Sequence, residues 1–168
     1  LQEEKASIQI KRILVPVDGS KPSEKATEFG IALAKLLNAD VIALHVIQTA
    51  PYTTVLAHPS TVPPPIPLVD DEVRKFANEC VNKVAEKAKG FDVKVIPIIS
   101  ETSSSVRDEI IKIAKEKDVD LIVMGTRGMT GLKRIILGSV ASGVVTYAPC
   151  PVLVVRPKET SEEEKVIE

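Results

Sequence analysis

The sequence predicts an α/β fold, a single open five-stranded parallel sheet with helices on both faces. Two observations carry that prediction. Runs such as Ile13-Leu14-Val15-Pro16-Val17, Val41-Ile42-Ala43-Leu44 and Leu121-Ile122-Val123-Met124 are apolar at consecutive positions, as strands covered on both faces must be. Between such runs lie segments with apolar residues at helical spacing, so the elements alternate as β-α-β-(loop)-α-β-α-β-α-β with right-handed crossovers. The chain has 168 residues, 44% of them hydrophobic, enough for one substantial core and few for two. Residues 1–168 are therefore read as one domain.

The first strand is expected over Ile8 to Asp18. It ends in an acid beside Gly19-Ser20, where open α/β sheets place ligand-contacting groups. Asp18 could equally serve the turn through local backbone bonds, and the residues alone leave both readings open. A first helix follows from Lys21 or Pro22 to Leu37, with Ala26, Phe29, Gly30, Leu33, Leu36 and Leu37 as its core stripe. The second strand spans Asp40 to Val46 or Ile47. His45 near its end has no second histidine, cysteine or paired carboxylate in sequence reach, so a satisfied structural role is the simpler reading.

Gln48 to Val69 breaks the pattern with six prolines, and residues 50–69 are expected to form an exposed Pro-rich loop. A second helix is predicted from Asp70 to Lys89 on the stripe Val73, Phe76, Ala77, Cys80, Val81, Val84 and Ala88, with Gly90 ending it. The third strand, Phe91 to Ile99, alternates partly and contains Pro97, which places it at a sheet edge. Ser103, Ser104 and Ser105 offer caps to a third helix reaching about Lys117. The fourth strand is Val119 to Met124, the fourth helix runs from Gly138 or Ser139 to Tyr147, and the last strand is Val152 to Val155. Residues 157–168 form a polar, acidic tail.

The stretch from Leu121 to Ser139 reads as a phosphate cradle. A buried strand stops at Gly125, Gly128 and Gly131 punctuate the loop, and Gly138-Ser139 opens a helix. Glycine lets a ligand approach the main chain, and the first amides of a helix point toward an anion. Ser139 would cap those amides or donate its hydroxyl to a phosphate. Single glycines after a strand often only turn the chain, but the spacing G-x2-G-x9-G-S is far more specific than one GxxG. Neither GxxxxGK[ST] nor GxGxxG after the first strand is present.

At Ile13 to Ser20, Leu44-His45-Val46, Met124 to Gly128, Gly138-Ser139-Val140 and Cys150 to Val155, nearly the whole chain resembles the universal stress proteins. The resemblance is to their ATP-binding branch with G-x2-G-x9-G-(S/T). It implies a Rossmann-like sheet of the adenine nucleotide alpha hydrolase type, strand order 3-2-1-4-5, with the switch point between strands one and four. It also implies ATP or another adenine nucleotide as ligand, with Mg²⁺ or Mn²⁺ whose protein ligands are unknown. Pro16, Val17 and Asp18 would then shape the adenosine side, Val46 would offer backbone groups to adenine, and Met124 and Gly125 would flank the ribose. Gly128, Gly138, Ser139 and Val140 would hold the phosphates. Arg127, Lys133 and Arg134 lie near enough in sequence to assist, although solvated loop charges are the simpler reading. The resemblance further suggests a homodimer paired through Val152 to Val155.

Composition excludes several other classes. Lys and Arg total 22 against 23 Asp and Glu, a formal net charge of -1, which gives no attraction for nucleic acid or an anionic membrane. Aromatics are 3%, so base-stacking platforms are scarce. Cys80 and Cys150 form no CxxC and read as free thiols of a reducing compartment. No apolar run approaches the ~20 residues of a membrane span, and the polar start does not read as a signal peptide. A cytoplasmic stress-response sensor or adaptor, acting on an unidentified protein partner and hydrolysing ATP slowly at best, is the function expected. Two alternatives stand beside it: a nucleotide-hydrolysing or phosphoryl- or nucleotidyl-transfer enzyme, and an interaction protein that works without ligand.

Overall fold

A computed structural model describes residues 8–49, 69–126 and 137–157. The elements run β1 (Arg12–Pro16), α1 (Lys21–Leu37), β2 (Asp40–Gln48), α2 (Asp71–Ala88), β3 (Val95–Thr102), α3 (Val106–Glu116), β4 (Leu121–Gly125), α4 (Ser139–Tyr147) and β5 (Val152–Val155). All neighbouring strands pair in parallel, in the order β3-β2-β1-β4-β5. This is the predicted sheet. The Pro-rich loop, His58, residues 127–136 and the tail beyond 157 lie outside the described residues.

Strand alternation splits the core into two layers. Ile13, Val15, Val41, Ala43 and Val123 meet α1 and α2 residues on one face, while Leu14, Ile42, Leu44, Ile122 and Met124 meet α3 and α4 residues on the other. The central strands are buried almost residue for residue, which is why their sequences read as unbroken apolar runs.

The helix faces depart from the predicted stripes. α1 buries Ser23, Ala26, Thr27, Gly30, Ile31 and Ala34, whereas Phe29 is 53% exposed, Leu36 79% and Leu37 41%. Small residues face the sheet because the helix lies so close to it: a Cβ on Gly30 would stand 2.7 Å from Cγ2 of Val15. On α2, Val73 and Phe76 are likewise largely exposed, although Phe76 stacks edge-on against His45 with ring centroids 5.7 Å apart.

Boundaries shift as well. Ile8 is exposed and β1 starts only at Arg12, where pairing with Asp40 begins. α2 does end near Gly90, but the left-handed residue of that connection is Asp92, with φ 56°, and β3 starts three residues later. Phe91 thus belongs to the turn, under the ammonium of Lys35 at 5.3 Å. β3 lies at the sheet edge as predicted, with Pro97 exposed in it.

Candidate functional site

The sheet's switch point falls between β1 and β4, whose partners lie on opposite sides. Their mutual pairing covers Ile13 with Leu121 and Leu14 with Ile122 and goes no further, although β1 continues to Pro16 and β4 to Gly125. In such sheets the carboxyl ends around a switch point form the binding crevice.

On the β2 side, the peptide groups of Asp40 and Leu44 bond β1, and that of Val41 bonds toward β3, so even-numbered residues of β2 face β1. The β1–β2 ladder stops at Pro16 and Leu44, with one further bond from the Val17 amide to the Leu44 carbonyl at 2.8 Å. The next acceptor in line, the Val17 carbonyl, is taken by Nδ1–H of His45 at 2.8 Å. The Val46 amide and carbonyl therefore face β1 without a ladder partner among the described residues. His45 is a satisfied structural residue placed where the ladder ends.

Asp18 is half-buried and accepts the Ser20 amide on Oδ1 at 3.0 Å, so the turn-stabilising reading is realised; one carboxylate oxygen carries that bond. Gly19 adopts φ +81°, and a Cβ there would stand 2.9 Å from Cζ of Phe76. At Gly125 a Cβ would lie within 2.8 Å of the backbone carbon and oxygen of Pro22. Glycine at 125 is thus required by the entry of α1 against the end of β4, whatever else approaches it.

The fourth helix differs from the other three. Ser20, Asp70 and Ser105 cap α1, α2 and α3 through their side chains, and each first turn holds an acid. α4 has Gly138 as its N-cap, no side-chain cap bond and no acid in its first turn. The expected capping by Ser139 does not occur, because Ser139 is already the first helical residue and is exposed. A bond of 2.8 Å from the Gly138 amide to the Thr126 carbonyl pins this open helix end beside β4. Gly138 and Val140 are half-buried there, as are Pro16 and Val46, while Val17 and Met124 are buried.

Thr126 is the residue the sequence reading passed over. It is 8% exposed, and its hydroxyl has no hydrogen-bond partner among the described residues. A buried orphan hydroxyl calls for an explanation. The signal was a polar residue at the end of an otherwise apolar strand, two positions past Met124 and hence on its face of the sheet. Gly128 and the cations Arg127, Lys133 and Arg134 lie outside the described residues.

The described part of the site therefore brings together the ends of β1, β2 and β4 and the N-terminus of α4. It presents unladdered peptide groups at one end and an uncapped helix dipole at the other, a set suited to a ligand with a hydrogen-bonding edge and an anionic group. Neither Cys80, which is buried, nor Cys150, which is half-buried, is in a disulfide, and burial pushes both thiols up.

Comparison with known proteins gives consistent matches. The family described as the universal stress protein family matches residues 9–156. Universal stress protein MJ0531 of Methanocaldococcus jannaschii is 39% identical over 150 residues, which are 89% of this chain and 84% of that protein. The solved structure of MJ0577, from the same organism, superposes with a TM-score of 0.64 at 32% identity, covering 91% of this chain and 100% of that one. A universal stress protein from Archaeoglobus fulgidus, solved in complex with dAMP, shares the fold with a TM-score of 0.64 at 21% identity, covering 88% and 98% of the two chains.

Proposed function

The chain belongs to the universal stress protein family, and from that premise we propose that it binds an adenine nucleotide, ATP in its physiological form, across the β1–β4 switch point. The observation that carries this reading is the N-terminus of α4, open and free of acids where the other helices are capped, and fixed by Thr126 at the end of β4. Phosphate oxygens would take the first amides of α4 around Gly138, Ser139 and Val140, with Gly128 beside them, and the Ser139 hydroxyl adds a donor. The base edge would take the unladdered peptide of Val46. Pro16, Val17, Asp18, Met124 and Gly125 line the ground between, and the second oxygen of Asp18 is available to a nucleoside hydroxyl. The dAMP complex of the Archaeoglobus relative supports an adenine nucleotide as the ligand class.

A resident metal cage does not fit. Among the described residues no group of three or more His, Cys, Asp or Glu is placed to hold an ion. Mg²⁺ or Mn²⁺ would arrive on the nucleotide, held by phosphate oxygens and water.

The same geometry favours binding over turnover. Rapid hydrolysis requires a group that orients water and charge that meets the transition state, whereas amides of a helix end hold ground state and transition state about equally. Asp18, the only acid in the set, lies on the nucleoside side with one oxygen tied to Ser20. The protein then acts as a stress-response sensor or adaptor whose nucleotide-bound form is read by a protein partner, in the cytoplasm and as a homodimer through β5. Among the described residues no helix is long and apolar enough to cross a membrane.

Two measurements test the reading. Mass spectrometry of small molecules released from the purified, heat-denatured protein is expected to find ATP or another adenine nucleotide, and isothermal titration with ATP and AMP to show saturable binding; no binding of either overturns it. Single-turnover assays with radiolabelled ATP and Mg²⁺ are expected to show hydrolysis well below the ~1 to 100 per second of kinases. Fast phosphate release that vanishes in Asp18→Ala would make the protein an enzyme.

A further inference from the structure

The first turn of α4 offers donors and no charge. The helix carries no charged residue along its length, and its N-cap makes no side-chain bond. Its first backbone bond runs from the Ser142 amide to the Gly138 carbonyl at 2.8 Å, so the amides of Ser139, Val140 and Ala141 have no acceptor within the helix. The Gly138 amide is already taken, by the Thr126 carbonyl at 2.8 Å. That bond sets the main chain of Thr126 against the mouth of the helix.

The side chain of Thr126 lies on the same side. Met124, two residues before it, packs in the core layer that holds Ala141 and Val144 of α4, whereas a Cβ on Gly125 would point the other way, at Pro22 of α1. Alternation therefore turns Thr126 back to the side on which α4 lies. The residue is buried, and its hydroxyl stands apart from the other buried polar groups. Ser23, Thr27, His45 and Glu109 are buried too, and each is hydrogen-bonded within the chain. Among the described residues the Thr126 hydroxyl alone is buried with no partner.

We propose that the Thr126 hydroxyl donates to a phosphate oxygen of the bound nucleotide, as the side-chain member of a set whose other donors are the first amides of α4. This rests on the nucleotide reading above and adds a binding residue to it. With no cation on α4, an anion at its N-terminus is met by neutral donors of that helix, and each one counts. A buried donor without an acceptor destabilises the empty protein, and an anionic oxygen is the strongest acceptor it can meet.

The experiment titrates AMP and adenosine, which differ by the phosphate, into the full chain, and unfolds the ligand-free protein in urea. Thr126→Val keeps the shape of the side chain and removes the donor. It is expected to bind AMP about tenfold more weakly than the unaltered protein and adenosine equally well. Its urea midpoint should equal or exceed that of the parent, since the empty state loses no bond. Thr126→Ser, which keeps the hydroxyl, should bind AMP like the parent. Undiminished AMP affinity in Thr126→Val overturns the Thr126 assignment and leaves the nucleotide reading standing. An equal loss for AMP and adenosine, or a lowered urea midpoint, means that the hydroxyl serves the fold and overturns the assignment as well. No binding of AMP by the unaltered protein overturns the nucleotide reading and this inference with it.

Discussion

A carboxylate at position 138 would separate two properties of the α4 N-terminus that glycine leaves combined. Gly138 sits at φ -61° and ψ 157°, extended backbone that any L residue adopts, and it leaves the helix without a side-chain cap. Gly138→Asp should supply the missing acceptor and a charge favourable to the dipole, raising stability by about 1 kcal/mol. On the proposed reading it should also place a negative charge against the phosphates and weaken ATP at least about tenfold, a typical effect of one misplaced charge-assisted contact. Urea denaturation and titration of the same variant read both effects, and a stabilised variant that binds ATP like the parent would remove the phosphates from α4. The structural places of Gly138 and Asp18 were legible in the sequence by residue type: a glycine before a helix, an acid at the turn after an apolar strand. The role proposed for Val46 belongs to its peptide group and rests on the end of the ladder beside it, which the type of residue 46 does not record. Thr126 fell between the two, a polar residue noticed only once its burial and missing partner were known.

The elements were legible wherever burial is nearly complete, and blurred wherever it is one-sided. The sheet order and the runs of β1, β2 and β4 follow from apolar residues at consecutive positions. α1 misled because its largest apolar residues lie on the exposed flank while Gly30 and Ala34 approach the sheet, an inversion set by close packing that periodicity alone does not distinguish. α3 is tied to the edge strand β3 by a polar link that periodicity also misses, the Ser100–Glu109–Lys112 cluster. Because the folded Glu109 carboxyl lies below its ordinary value of 4.5, its contribution to stability is fully present above that value and is lost as pH falls through the lower folded value. The stability difference between the parent and Glu109→Gln should therefore stay constant from neutral pH to about 5 and shrink at more acid pH. Urea denaturation across that range checks it. A difference that stays flat down to pH 3 would mean that Glu109 does not hold α3 through its charge.

At the scale of the whole molecule, the two sheet edges differ in a way that bears on assembly. β3 carries Pro97 and an exposed polar residue, Glu101, features that discourage pairing with another strand. β5 is four apolar residues long, with Val155 buried beneath α1 and Leu153, on the same face, 37% exposed. α1 turns Glu28 toward Lys87 of α2, at 3.2 Å, and so directs Phe29, Leu33 and Leu36 away from α2, toward the flank where β5 lies. On the opposite face α4 exposes Val145, while its Tyr147 turns to Arg107 of α3. An apolar edge strand with apolar helix residues on both faces is a surface that a second copy can cover, and pairing of β5 with its own copy about a two-fold axis covers both faces at once. The variant that tests this must leave the monomer intact, which rules out Val154, because that side chain packs into the core beneath α4. Leu153→Lys puts the charge on the exposed position instead. Light scattering of the parent at micromolar concentration is expected to give the mass of a dimer, and Leu153→Lys to give a monomer with an unchanged far-UV circular dichroism spectrum. A parent that stays monomeric at high concentration, or a Leu153→Lys variant that remains fully dimeric, would mean that β5 is not the contact.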